Sequence, residues 1–193
     1  MSLKENIINA SLKLFSVKGF MSTSMTDIIS AAKTSKGGLY NHFKSKEDLF
    51  FAALSEAKSL WRDKNLYELE EIADPVGKII QLFRNYQNRY LTDLNLAGGC
   101  IFVNLTVELN DQRPDLAEEV NEGFVRLKIM VRRFLDLAKR KQLIKPDTDV
   151  NAVTAMLIAA LLGACVIYTS DKSEENLEVT ISALITQLEL LRV

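Results

Sequence analysis

Thr23-Ser24-Met25-Thr26-Asp27-Ile28-Ile29-Ser30-Ala31-Ala32-Lys33-Thr34-Ser35-Lys36-Gly37-Gly38-Leu39-Tyr40-Asn41-His42-Phe43 is the stretch that decides the fold. Thr23 or Ser24 can cap a short helix whose apolar face is Met25, Ile28, Ile29 and Ala32. After the two-residue link Lys33-Thr34, Ser35 can cap a still shorter helix ending near Phe43. A longer helix precedes both, with Ile7, Ala10, Ser11, Leu14 and Phe15 at helical spacing and Gly19 as its stop. One long and two short helices have helix-turn-helix proportions. Ile28, Ala31, Ala32, Leu39 and Phe43 are expected to form a small core with Leu14 and Phe15. The shortest helix is poor on propensity, because Gly37 and Gly38 each cost about 1 kcal/mol against alanine. Glycine also lets a backbone approach another surface closely, and a major groove is such a surface. On spacing alone, an ordinary turn with two glycines reads as well.

Working outward, the rest of the chain reads as helix after helix. Ser45 with Asp48 predicts a capping box for a fourth, carrying Leu49, Phe50, Ala53, Leu54, Ala57 and Trp61. Asp74-Pro75 predicts the start of a fifth, running to about Leu94 until Ala97-Gly98-Gly99 breaks it. Residues 100–109 predict a sixth. Pro114 opens a long seventh, with Leu116, Val120, Phe124, Leu127, Val131 and Leu135 in steps of three and four. An eighth, starting at Thr148 or Asp149, is apolar on nearly every side. Ser173 starts a ninth with a Leu177, Ile181, Leu184, Leu188 seam. No strand pattern competes. The expected fold class is all-α, with about nine helices. The expected division is an N-terminal helix-turn-helix domain, residues 1–46, and a C-terminal helical domain, residues 47–193.

Composition narrows the function. Of 193 residues, 48% are hydrophobic and 25% charged, with only 3 Pro and 8 Gly, which excludes disorder and disfavours a turn-rich all-β fold. Two Cys exclude a disulfide scaffold and a four-thiolate zinc site, and one His argues against a histidine metal site or a Ser-His-Asp triad. No metal, no cofactor and no enzymatic activity are therefore expected. Met1 to Phe15 has charges and amides scattered through it, unlike a signal peptide. The apolar run Ala152 to Tyr168 is marginal for a bilayer and is interrupted by Thr154 and Gly163, so a buried helix, no membrane partner and a cytoplasmic location are expected. Residues 1–62 carry 9 Lys+Arg against 5 Asp+Glu, and residues 63–193 carry 15 against 20, within a net charge of −1. A basic head on an acidic body leans toward a polyanionic partner.

The segment Ile7 to Leu54 resembles the DNA-binding domain of the tetracycline-repressor (TetR/AcrR) family of bacterial transcription regulators. Ser35-Lys36-Gly37-Gly38-Leu39-Tyr40-Asn41-His42-Phe43-Lys44-Ser45-Lys46 carries the family's pattern Ser-Lys-Gly-x-Leu-Tyr-x-His-Phe-x-Ser-Lys. Lys33 stands where the family usually has glycine, which implies a left-handed or distorted backbone there. The resemblance implies roles. Thr23 and Ser24 bond phosphate oxygens while capping, and Thr26 reaches a base edge. Lys36, Gly37 and Gly38 meet the groove, and Asn41 touches base or phosphate. Tyr40, His42 and Lys46 contact phosphates.

It also implies a body that binds an effector and dimerises through helices eight and nine, on a palindromic double-stranded operator. The residues agree, since one chain has limited interior for an all-round apolar helix and a leucine seam. The implied effector is a small apolar or aromatic molecule, in a pocket walled by Trp61, Phe83, Tyr86, Tyr90, Cys100, Phe102, Phe124 and Met156, with Asn104 as a polar contact. Helix four, from Lys46 to Trp61, is the expected lever. The Gly99-Cys100 start of helix six resembles a subgroup in which the matching cysteine senses electrophiles. Such a thiol at a helix N-terminus can ionise more easily.

Overall fold

Short polar side chains set most of the helix starts. Ser2, Ser24, Ser35, Ser45, Asp74, Asp149 and Ser173 each accept a hydrogen bond from a backbone amide in the first turn that follows. The structure is a computed structural model describing residues 1–193. Its helices are α1 Leu3–Lys18, α2 Met25–Ala31, α3 Lys36–Tyr40, α4 Lys46–Asn65 and α5 Pro75–Asn85. After these come α6 Ile101–Leu109, α7 Pro114–Arg140, α8 Val150–Asp171 and α9 Glu174–Glu189. The only β pairing is one bridge between Ile144 and Arg192. The architecture is all-α, with α1–α3 forming a helix-turn-helix head on a body of packed helices.

Three local expectations change. Ser24, not Thr23, caps α2, in a full capping box with Asp27. The fourth helix has half a box: Ser45 accepts from Asp48, but the Asp48 carboxylate reaches back to the amide of Lys44, at 3.1 Å. The fifth helix does not run to Leu94. Its α-helical part ends at Asn85, and Tyr86–Tyr90 form a π-helical turn, closed by the Leu91 amide donating to the Tyr86 carbonyl at 3.0 Å. The extra residue re-aims the side chains that follow, a distortion frequent at functional sites.

The head's core is wider than expected. Ile28, Ala32, Leu39, Phe43 and Phe15 are buried, Leu14 is half-buried, and Ala31 faces solvent. Ile7, Leu12, Phe20, Leu49 and Phe50 complete it. Phe20 meets Phe15 and Phe50 edge-on, with ring centroids 5.5 and 5.0 Å apart. Such pairs add about 1 kcal/mol each beyond area burial. Because α4 packs on both α1 and the body, the two parts share one continuous hydrophobic core.

α8 is long and apolar enough to cross a bilayer by length and composition alone. Here it packs Thr154, Leu157, Leu161, Ala164 and Cys165 inward, against α7 and α9. The opposite side is open: Met156, Val166 and Ile167 on α8 and Val179 on α9 are between 46% and 64% exposed. The expectation of a buried helix therefore holds for one side of α8 only.

Candidate nucleic-acid interface and effector cavity

α2 and α3 are joined at Lys33, whose φ of 49° is left-handed. A non-glycine residue there costs about 1 kcal/mol. The turn exposes Thr26, Lys36, Gly37, Tyr40, Asn41 and His42 on one end of the head. Lys33, Lys36 and Lys44 take part in no ion pair, so this face carries uncompensated positive charge.

Four expected contacts sit differently. Thr23 is buried and its hydroxyl donates to the Gly19 carbonyl at 2.6 Å, so it closes the turn and faces away from solvent. The Ser24 hydroxyl accepts from the Asp27 amide and donates to the Asp27 carboxylate at 2.7 Å. That carboxylate is held below its ordinary range chiefly by the Ser24 amide, and Ser24 must release it before donating to a phosphate. Gly38 is half-buried; a Cβ there would stand 2.5 Å from Thr34 Oγ1 and 3.6 Å from Leu3, so its constraint is internal. Gly37 has open space around it, the nearest atom to an added Cβ being Ser35 Oγ at 3.9 Å. Of the glycine pair, only Gly37 is free to meet an outside surface.

Lys46 is the fourth. Its ammonium lies 4.4 Å from the Phe20 ring centroid and donates to the Met21 carbonyl at 3.3 Å, and burial lowers its pKa. It pins the α1–α2 turn from the head side. From the body side, Glu108 near the end of α6 accepts from the amides of Phe20 and Met21, at 2.7 and 2.9 Å. Gly19 reaches this turn with φ of 80°, and a Cβ added to it would run into the Glu108 carboxylate. Arg113, just ahead of α7, bonds Glu47 of α4 at 2.9 Å and Asp115 at 2.8 Å. At the other end of α6, Asn104 donates to the carbonyls of Ser16 and Gly98. α6 is thus fastened to the head at both ends. Hydrogen bonds to a charged group contribute about 1.5–3 kcal/mol each.

The start of α6 borders a cavity of about 190 Å³. Trp61, Tyr86, Cys100, Phe102 and Phe124, all expected wall residues, line it. Trp61 Nε1 donates to the Tyr86 hydroxyl at 2.6 Å, and the π-helical turn stacks Tyr86 edge-on against Tyr90 at 5.3 Å. The other expected wall residues are elsewhere. Phe83 is sealed in the core, and Tyr90 lies behind Tyr86 against Cys100, fully buried. Asn104 spends its amide on the head, and Met156 is on the open side of α8. The sequence reading missed Lys58 and Arg62, which share a face of α4 with Trp61, and Glu122, Arg126, Leu127 and Met130, which flank Phe124 at helical steps. It missed Glu108 and Arg113 altogether, since nothing local marks a surface acid or arginine as a tether.

Cys100 occupies the N-cap position of α6. Its thiol is lowered to about 7, first by a hydrogen bond with Cys165 and then by the amide of Val103, against the opposing effect of burial. The Tyr90 hydroxyl lies 3.7 Å from its sulfur. The same hydrogen bond and burial push Cys165 well up. Because the thiolate is the nucleophile, iodoacetamide is expected to label Cys100 faster as pH rises through about 7, with Cys165 slow throughout. Peptide mass mapping of timed labelling checks this, and equal labelling of both thiols contradicts the assignment.

A short-helix pair with an uncompensated basic face, tethered to a helical body that holds a cavity, defines a helix-turn-helix DNA-binding regulator. Residues 7–53 match the family model for bacterial regulatory proteins of the tetR family, and residues 75–184 match that for the tetracyclin repressor-like C-terminal domain. The chain belongs to the TetR family of transcription regulators. Its similarity to the HTH-type transcriptional regulator QacR of Staphylococcus aureus is 38% identity over 64 residues, which is 33% of this chain and 34% of that one. The uncharacterized HTH-type transcriptional regulator YezE of Bacillus subtilis aligns over 92% of this chain and 94% of its own, at 26% identity. A crystal structure of a TetR transcriptional regulator from Chloroflexus aurantiacus superposes with a TM-score of 0.89 at 27% identity, covering 98% of this chain and 96% of that one. These relatives are named as transcription regulators, which points away from an enzyme.

Proposed function

We propose that the chain is a dimeric, cytoplasmic repressor, released from a palindromic operator by a small molecule bound in the cavity beside Trp61, and that it catalyses no reaction. The observation that carries this reading is α6 itself. Cys100 and Phe102 at its start border the cavity, and Glu108 near its end holds the turn that orients α2 and α3. About 13 Å of rigid helix spans the two. An effector that fits the cavity better with α6 displaced moves the head. To turn a 1:99 population into 99:1 it must prefer that state by about 5.5 kcal/mol. The working division is residues 1–46 for DNA and 47–193 for effector and self-association, with α4 and α6 crossing between them.

The open side of α8 and α9 suits a second copy of the chain. A twofold pair covers the exposed Met156, Val166, Ile167 and Val179 and sets two copies of α3 about 34–36 Å apart, or a neighbouring multiple. Tyr40, Asn41 and His42, with Lys36 and Gly37, are the residues proposed to meet DNA, and Thr26 reaches a base edge. Gel-shift titration with the DNA upstream of the chain's own gene is expected to give a sequence-selective complex, weakening steeply as salt rises. A complex indifferent to salt or to sequence contradicts the proposal.

A second reading is favoured by one observation: Cys100, at the N-cap of α6, borders the cavity, with the Tyr90 hydroxyl 3.7 Å from its sulfur. In it, alkylation of Cys100 takes the place of reversible ligand binding. Its mark is loss of DNA binding on iodoacetamide treatment in the wild type and retention in Cys100→Ser.

A further inference from the structure

We propose that the effector is an amphiphilic organic anion, an apolar chain or ring system carrying one acidic head group. This rests on the reading that the cavity is the effector site, and it names the chemistry that site selects. Inside, the wall is apolar: Leu66, Phe102, Phe124, Leu127 and Met130. The Trp61 N–H is already spent on Tyr86, so a buried hydrocarbon body leaves no donor of Trp61 unpaired. The ionisable groups at the rim are unequal in sign. Lys58, Arg62 and Arg126 stand against the single carboxylate Glu122.

A second hollow adjoins the first. Arg126 and Met130 are shared with an adjoining depression along α7 that adds Ile129, Arg133 and Phe134. Lys78 lies 5.9 Å over the Phe134 ring. Two of these cations already have acids: Arg126 pairs with Glu122 at 2.7 Å and Lys58 with Glu119 at 3.5 Å. Arg62 and Arg133 pair with none. Two unmatched guanidiniums therefore border adjoining apolar hollows, Arg62 the cavity and Arg133 the depression beside it. An acidic head gains from whichever guanidinium it lies beside, a neutral head from neither, and a cationic head is repelled. An elongated body lets the apolar part fill the cavity while the head lies along α7.

Trp61 is the chain's single tryptophan, so its emission reports occupancy of this cavity alone. The probes are decanoate, 1-decanol and decylammonium, titrated below their micellar concentrations at about pH 6, where the acid is ionised, the amine protonated and the Cys100 thiol, which titrates at about 7, mostly neutral. Decanoate is expected to bind about tenfold tighter than decanol, with decylammonium weakest, and the gap to narrow as salt is added. In Arg62→Gln/Arg133→Gln, changed at two exposed positions that no ion pair uses, decanoate should fall to within about twofold of decanol. Equal binding, a reversed order, or a preference that survives in the double variant overturns the anion assignment and leaves the cavity as the effector site. Flat emission with all three probes overturns both.

Discussion

Gly98→Ala is expected to lower the unfolding free energy by about 3 kcal/mol, at the severe end of overpacking effects. Gly98 sits in the loop ahead of α6, flat against the end of α1. A methyl group there would overlap the carbonyl group of Ser16 and come within 2.9 Å of Ser16 Oγ. The obstacle is backbone, which cannot rotate away as a side chain can. The same carbonyl accepts from Asn104, so separating α6 from α1 also costs that hydrogen bond. For a chain of this length the loss corresponds to a fall in melting temperature of about 10 °C. Gly123→Ala is the matched control. It lies mid-helix in α7 with nothing within 4 Å of an added Cβ, and alanine there is expected to stabilise by about 1 kcal/mol. Thermal melts followed by circular dichroism at matched protein concentration give both values. If Gly98→Ala melts with the wild type, α6 is not seated on α1 as described.

The second large effect is on binding and leaves the fold alone. Gly37→Leu is expected to reduce operator affinity at least about a hundredfold, close to 2.7 kcal/mol. Stability should be unchanged or slightly raised, because leucine replaces glycine inside a helix. The side chain points into open space, which the groove floor fills in the proposed complex. Gly38→Leu should behave oppositely, straining the head through Thr34 and losing stability and binding together. Fluorescence anisotropy on a footprinted site, beside a denaturant melt, separates the two glycines. Full-affinity binding by Gly37→Leu would place the groove contact elsewhere on the head.

What could be read in the sequence was whatever is written locally. Ser24, Ser35, Asp74 and Ser173 announce helix starts because a cap and the amide it satisfies lie within three residues of one another. The Lys33 backbone was legible through the resemblance, because the family usually has glycine at that place in the link. Long-range geometry was not legible. Tyr86 and Tyr90 both read as pocket walls in the sequence, yet the π-helical turn puts one at the cavity and the other behind it. Asn104 looked like a pocket contact and instead holds Ser16, 88 positions away. Lys46 matched a phosphate-binding pattern, and only the fold brings Phe20 and Met21 to it. Met156 carried no mark distinguishing an inward side of α8 from one left open.

The carboxylate of Glu108 has a practical consequence for anyone recombining such regulators. Cutting this chain near residue 46 and grafting its reading head onto a foreign body removes the acid that closes the Phe20–Met21 turn, and leaves Lys46 beside an aromatic ring with its acidic neighbour gone. The head is not a cassette. A working chimaera has to import an acid at the place of Glu108 and a basic clasp at the place of Arg113 along with the new body.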